Sequence, residues 1–187
     1  MNRKVLTLVL ISLLAALLAV GAVFSLPLPP PLPPVTLAVF FALLSGLLLG
    51  PWGGLAVTGL YLALGCLGLP VFANGSGGFG HLAGPTGGFL LGYALAAFAA
   101  GLISSQRTWH FGRALVGALA GVAVLYLLGL PWFATVLSAR RGSTVSLLAA
   151  FSMMAPYLVG DVVKACLAAG LIRGLRPVLR NYFPARP

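Results

Sequence analysis

Long apolar runs alternate along this chain with short stretches that are polar or cannot be helical. After Arg3-Lys4 the residues from Val5 to Leu26 are almost all apolar, and about 20 such residues suffice for a helix to cross a bilayer. The run is longer than the apolar core of a secretory signal and is not followed by a clean small-residue cleavage site, so it reads as a retained first helix. Further apolar runs follow, and the helices are expected at about 5–26, 35–50, 55–67, 87–104, 114–137 and 157–175. The stretch Gly50-Pro51-Trp52-Gly53-Gly54 predicts a tight turn between the second and third of these. Pro131-Trp132 predicts an interruption or kink in the fifth, and 144–155 reads as a short helix or as the first part of the last one. The pattern predicts an all-α integral membrane protein of about six transmembrane helices in a single domain spanning 1–187. Both termini are expected on the cytoplasmic side.

Two interruptions are too long to be simple turns. Pro27-Leu28-Pro29-Pro30-Pro31-Leu32-Pro33-Pro34 is uncharged and favours extended polyproline backbone, which suits an outer loop lying on the bilayer or over a pocket. The stretch 68–88 contains glycines at 68, 75, 77, 78, 80, 84, 87 and 88 together with Pro70 and Pro85. Glycine costs a helix about 1 kcal/mol and proline about 3, so this backbone is irregular. Irregular backbone at membrane depth survives only when buried in protein or lining a cavity. The stretch is therefore a candidate ligand-covering loop.

Composition sharpens the class. Hydrophobic residues make up 60% of the chain and charged residues 6%, and the mean hydropathy is +1.10; soluble domains carry about 25% charged residues. The formal charge of +10 would suggest nucleic acid in a soluble chain. Here the cations flank apolar runs at Arg3, Lys4, Arg107, Arg113, Arg173, Arg176, Arg180 and Arg186, which is the positive-inside pattern and argues against a nucleic-acid partner. Arg140-Arg141 departs from it, because alternation puts that loop outside. Cys66 and Cys166 sit in apolar runs as small hydrophobes, and no Cys/His cluster with metal-ligand spacing occurs.

Only one acidic residue is present, Asp161. Carboxylate pairs, acid-based metal sites and catalytic arrangements that need several acids are therefore absent, so the chain is not expected to be an enzyme. A Walker A loop is missing as well. Gly75-Ser76-Gly77-Gly78-Phe79-Gly80 has the spacing of a dinucleotide fingerprint but lacks the strand, helix and later acid that such a site needs. Asp161 and Lys164 are three apart and share a helix face. Each charge costs about 2.5–3.5 kcal/mol at a bilayer centre, so the pair is a functional candidate. Pro156 and Gly160 suggest a helix starting near Asp161, with Asp161 capping it and Lys164 meeting an anionic ligand group; an internal salt bridge at the helix entrance remains the alternative. Ala15 and Ala19 share a face of the first helix at a spacing that lets membrane helices approach closely, and an ordinary alanine-rich helix is the other reading.

Gly68-Leu69-Pro70-Val71-Phe72-Ala73-Asn74-Gly75-Ser76-Gly77-Gly78-Phe79-Gly80, then Gly84-Pro85-Thr86-Gly87-Gly88-Phe89-Leu90-Leu91-Gly92-Tyr93, resemble the signature of the BioY family, the biotin-binding S components of energy-coupling factor (ECF) transporters. Pro34-Val35-Thr36-Leu37, Leu47-Leu48-Leu49-Gly50-Pro51 and Pro156-Tyr157-Leu158-Val159-Gly160-Asp161-Val162-Val163-Lys164 extend the likeness over most of the chain. It implies the S-component fold in a bacterial cell membrane, with high-affinity biotin as transported substrate and no cofactor or metal. Asn74, Ser76, Gly77, Tyr93, Tyr157, Asp161 and Lys164 are the implied ligand contacts, with Phe79 and Trp132 as further wall candidates. Ala15 and Ala19 would dock on the coupling transmembrane subunit, and separate ATPase subunits would hydrolyse ATP. An S component of the same fold for another vitamin is the alternative. Ala38 stands where family members usually carry glutamine, and Thr36 or Asn74 are the candidates to replace that contact.

Overall fold

A computed structural model describes residues 3–29, 32–104 and 111–182, with side chains described from Lys4 to Leu175. Pro30, Pro31, the expected cytoplasmic loop 105–110 and the end of the basic tail lie outside the described residues. Five helices carry the fold: α1 (Arg3–Val23), α2 (Ala38–Cys66), α3 (Gly87–Ile103), α4 (Phe111–Arg141) and α5 (Leu147–Tyr182). Four of them are long and apolar enough to cross a membrane, and α3 is a shorter apolar helix. Large apolar side chains such as Leu8, Trp52, Leu127, Leu148 and Leu167 are exposed, as the lipid-facing surface of a multi-pass membrane protein requires.

The expectation of about six helices holds once α2 is read as two, and what differs is the turn between them. Gly50 adopts φ 79° and ψ −177°, a conformation open to glycine, and the chain reverses there. A Cβ built on Gly54 would lie 2.7 Å from the Cα of Gly46, whereas eight residues of straight helix span about 12 Å. One residue thus does the work expected of the five from Gly50 to Gly54, and α2 consists of two helical arms packed side by side. Glycines at the contact let the arms and α3 approach closely; a Cβ on Gly46 would meet the Ala97 carbonyl oxygen at 1.9 Å.

Two further boundaries differ. α4 continues through Pro131, and α5 begins at Leu147, so Pro156 lies within it. Proline is tolerated in membrane helices when neighbouring groups satisfy the backbone it frees. Asp161 therefore sits well inside α5 instead of capping its start. Leu18, Leu43, Leu47, Leu125, Phe133, Met154 and Ile172, drawn from α1, α2, α4 and α5, form the fully buried centre.

Ala15 is 3% exposed and packs into this centre with Leu14 and Leu18; Ala19 is half-buried. In this conformation Ala15 packs against its own bundle. The outward small residues of α1 are Ser12 and Ala16, again four apart and both exposed.

Candidate functional site: a cavity between helices and two loops

The loop after α1 is closed by a short antiparallel bridge. The Leu26 N–H donates to the Val35 carbonyl at 2.9 Å and the Val35 N–H to the Leu26 carbonyl at 3.0 Å. The Tyr157 hydroxyl of α5 donates to the Pro33 carbonyl and ties this proline-rich loop over the bundle.

The glycine-rich loop between α2 and α3 is anchored by Phe72, which is fully buried. Its ring meets Tyr61 edge-on at 5.4 Å and lies 5.4 Å from His81. A Cβ on Gly65 would strike that ring at 2.2 Å, so glycine there makes room for the anchor. Asn74 takes φ 57°, a conformation asparagine accepts more readily than most residues. Its Oδ1 accepts from the Ser25 hydroxyl at 2.7 Å, and its N–H donates to the Ser25 oxygen at 3.1 Å. Trp132 of α4 donates from Nε1 to the Gly84 carbonyl at 2.9 Å, so the two loops are held to each other and to the helices.

Beneath them lies a cavity of about 270 Å³, just below the range of about 300–1,000 Å³ usual for small-molecule sites. Pro33, Pro34, Val35 and Thr36 of the first loop and Ala73, Asn74, His81, Pro85 and Thr86 of the second form its roof. Helix residues form its walls and floor, among them Tyr61 of α2, Phe89 and Tyr93 of α3, Tyr126 of α4, and Met154, Tyr157, Asp161 and Lys164 of α5. Four of the chain's five tyrosines, each from a different helix, converge there.

On the floor Lys164 Nζ donates to Asp161 Oδ1 at 2.8 Å, with side chains 13% and 8% exposed. The Tyr126 hydroxyl donates to Asp161 Oδ2 at 2.9 Å. These donors take the place of the helix-cap N–H groups expected from the sequence. The Tyr61 hydroxyl is buried with no hydrogen-bond partner, and such a group costs about 1–3 kcal/mol. At the roof, burial holds the His81 imidazole below its ordinary pKa, favouring the neutral ring. Its Nε2 lies 3.5 Å from the Thr86 hydroxyl.

Of the residues expected at a ligand, Asn74, Tyr93, Tyr157, Asp161 and Lys164 line this one cavity. Ser76 and Gly77 do not; they shape the loop. Ser76 donates from its hydroxyl to the Ala73 carbonyl at 2.7 Å, and a Cβ on Gly77 would lie 2.3 Å from the Leu69 oxygen. Phe79 is 74% exposed, and Trp132 acts as a loop tie outside the lining. Thr36 does line the cavity, whereas Ala38, where a glutamine was looked for, is buried in packing. Tyr61, Tyr126, His81 and Thr86 were not anticipated as site residues. One signal was available for Tyr126: a lone carboxylate in an apolar helix needs more than one donor, and hydroxyls in apolar runs are scarce.

The sequence profile described as the BioY family matches residues 1–181. The chain is 39% identical over 162 residues to the "Probable biotin transporter BioY" of Pyrococcus horikoshii, covering 85% of this chain and 89% of that one. It is 41% identical over 171 residues to the "Biotin transporter BioY" of Rhodobacter capsulatus, covering 87% and 88%. Among solved structures it resembles the 2.1 Å crystal structure of the S-component for biotin from an ECF-type ABC transporter. That match has a TM-score of 0.79 and 29% identity, and covers 94% of this chain and 93% of the other. A helical membrane fold of that kind, roofed by the glycine-rich loop and floored by a buried Asp–Lys pair, and a profile match over nearly the whole length lead to one conclusion: the chain belongs to the BioY family.

Proposed function

We propose that this chain is the biotin-specific S component of an ECF-type ABC importer and binds its substrate in the loop-covered cavity. The floor of that cavity is the observation that carries the reading. Biotin presents a flat cyclic urea with two N–H donors and one carbonyl acceptor, an apolar thioether ring, and an anionic tail. Lys164 is already paired with Asp161, so the pair is neutral overall and poorly suited to compensate a further carboxylate beside Asp161. It does suit a urea. Each Asp161 oxygen keeps a lone pair for a urea N–H, and Lys164 keeps N–H groups for the urea carbonyl. The Tyr61 hydroxyl adds a buried donor that gains a partner when the ligand arrives. Lys164 therefore faces the ring end of the ligand in place of the tail first assigned to it, and the apolar faces of Phe89, Tyr93 and Met154 enclose the thioether ring.

In this reading the two loops face outward and both termini lie in the cytoplasm. The face of α1 carrying Ser12 and Ala16 meets the coupling transmembrane subunit, and ATP is hydrolysed on separate subunits. Binding is measured by tryptophan fluorescence on the purified protein, since Trp132 is tied to the loop at Gly84. Biotin is expected to change the emission, with thiamine and riboflavin as controls. A response to either control and none to biotin would make this the S component of another vitamin.

A further inference from the structure

Arg140 and Arg141 end α4 on the side of the bundle that carries the two loops, and both are exposed. Positive charge is scarce on that side of a membrane protein by the general bias, so their presence asks for a reason. A second cavity, of about 540 Å³, is lined by these arginines together with Pro27, Leu28 and Leu137. Its remaining wall residues, Leu32, Pro34, Asn74 and Pro85, also line the binding cavity. The two hollows thus adjoin, with these four residues, Asn74 among them, common to both walls. Asp161 is the chain's only acidic side chain and is engaged by Lys164 at 2.8 Å, so no carboxylate side chain is left to neutralise the arginines. A helix C-terminus favours a cation by its dipole. That preference does not explain why two of them border a hollow adjoining a ligand site.

We propose that this anteroom is a carboxylate-capture site, in which Arg140 and Arg141 attract the anionic tail of the ligand and hold it at the mouth while the ring enters the cavity. The proposal rests on the biotin reading above and deepens it. The guanidinium fork matches a carboxylate with two parallel hydrogen bonds. Cations around a cleft with low-dielectric walls also raise the association rate of an oppositely charged ligand, by about 10-fold to 1,000-fold. Salt weakens that attraction as the screening length shrinks from about 10 Å at 0.1 M to about 3 Å at 1 M.

The test is stopped-flow association of biotin, and of its uncharged carboxamide, with the full chain in discs of zwitterionic lipid at low and high salt. For biotin at low salt the double variant Arg140→Gln/Arg141→Gln is expected to associate roughly tenfold more slowly than wild type. The difference should shrink at 1 M salt, and the carboxamide should associate equally fast with both proteins. Arg140→Lys/Arg141→Lys, which keeps the charge, should retain most of the biotin rate. Equal biotin rates in wild type and the glutamine variant would overturn the proposal while leaving the binding cavity intact. So would variants whose only change is loss of stabilisation by added phosphatidylglycerol, because the arginines would then serve a lipid phosphate. No biotin binding by wild type would overturn the biotin reading itself and this inference with it.

Discussion

The floor and the roof of the cavity are built on opposite principles. On the floor, Asp161, Lys164, Tyr126 and Tyr61 project from long helices, are buried or nearly so, and are fixed by short hydrogen bonds and close packing. The roof is made of loop backbone bent at glycine and proline, and a few ties hold it: Ser25 to Asn74, Tyr157 to Pro33, and Trp132 to Gly84. A recognition surface needs preorganised polar groups, whereas a cover must open to admit ligand. Segments with few buried apolar contacts are the ones that open at low cost. Rigidity and looseness are thus divided between helix and loop in one small site.

The sharpest way to break this division is to disturb the floor. Asp161→Ala leaves Lys164 buried without its partner and is expected to cost about 3–5 kcal/mol of stability, read as a large fall in unfolding temperature in detergent. Replacing both residues by apolar ones, Asp161→Leu/Lys164→Met, should regain most of that stability and still bind no biotin. A double variant that bound biotin normally would move recognition away from the floor.

A roof lesion should behave differently. A Cβ on Gly87 would fall 1.7 Å from the Leu82 carbonyl oxygen, so Gly87→Ala must displace the loop where it enters α3. Overpacking of this kind costs about 1–3 kcal/mol. It is expected as faster biotin release measured by stopped flow, with a smaller change in the unfolding temperature of the bundle. Loss of stability without faster release would assign the loop to the folding core.

Tyr61→Phe separates binding from stability on the floor itself. Removing a buried hydroxyl that has no partner should leave stability equal or higher, while biotin affinity falls by the worth of one hydrogen bond, about 1 kcal/mol or roughly fivefold. Calorimetric titration beside thermal unfolding reads both quantities.

The smallest effect concerns His81 at the roof. Its pKa in the closed loop lies below the ordinary value of 6.5, so the closed form holds fewer protons than the open one. The closed form is therefore fully favoured above about pH 6.5 and loses stability as pH falls toward the lowered value. Biotin release should quicken modestly between pH 7 and pH 5 and do so less in His81→Gln; an identical profile in the variant would remove His81 from loop closure.

Much of this architecture was legible in the chain because bilayer physics is severe. Apolar runs of bilayer length, a single acid placed three residues from a lysine, and a glycine-rich stretch between two runs each admit few interpretations. The boundaries at α2, α4 and α5 were less legible. Proline and glycine mark a possible break, but whether Pro131 and Pro156 end a helix or lie within it depends on which neighbours satisfy the freed backbone. That Ser76 lies off the cavity lining has a related cause. It lies two residues from Asn74, yet the left-handed turn at Asn74 separates one that lines the cavity from one that hydrogen-bonds within the loop.

The sequence by itself determined that the chain spans a membrane, that its single acid stands three residues from a lysine, and that residues 68–88 cannot be one helix, since each follows from composition and local backbone cost. Only tertiary structure decided that four tyrosines from four helices line one cavity with that pair, that Ala15 faces inward while Ser12 and Ala16 face outward, and that two arginines border a hollow adjoining the site. Those facts depend on helix rotation and on chain reversal at Gly50, which are set by packing between segments far apart in sequence.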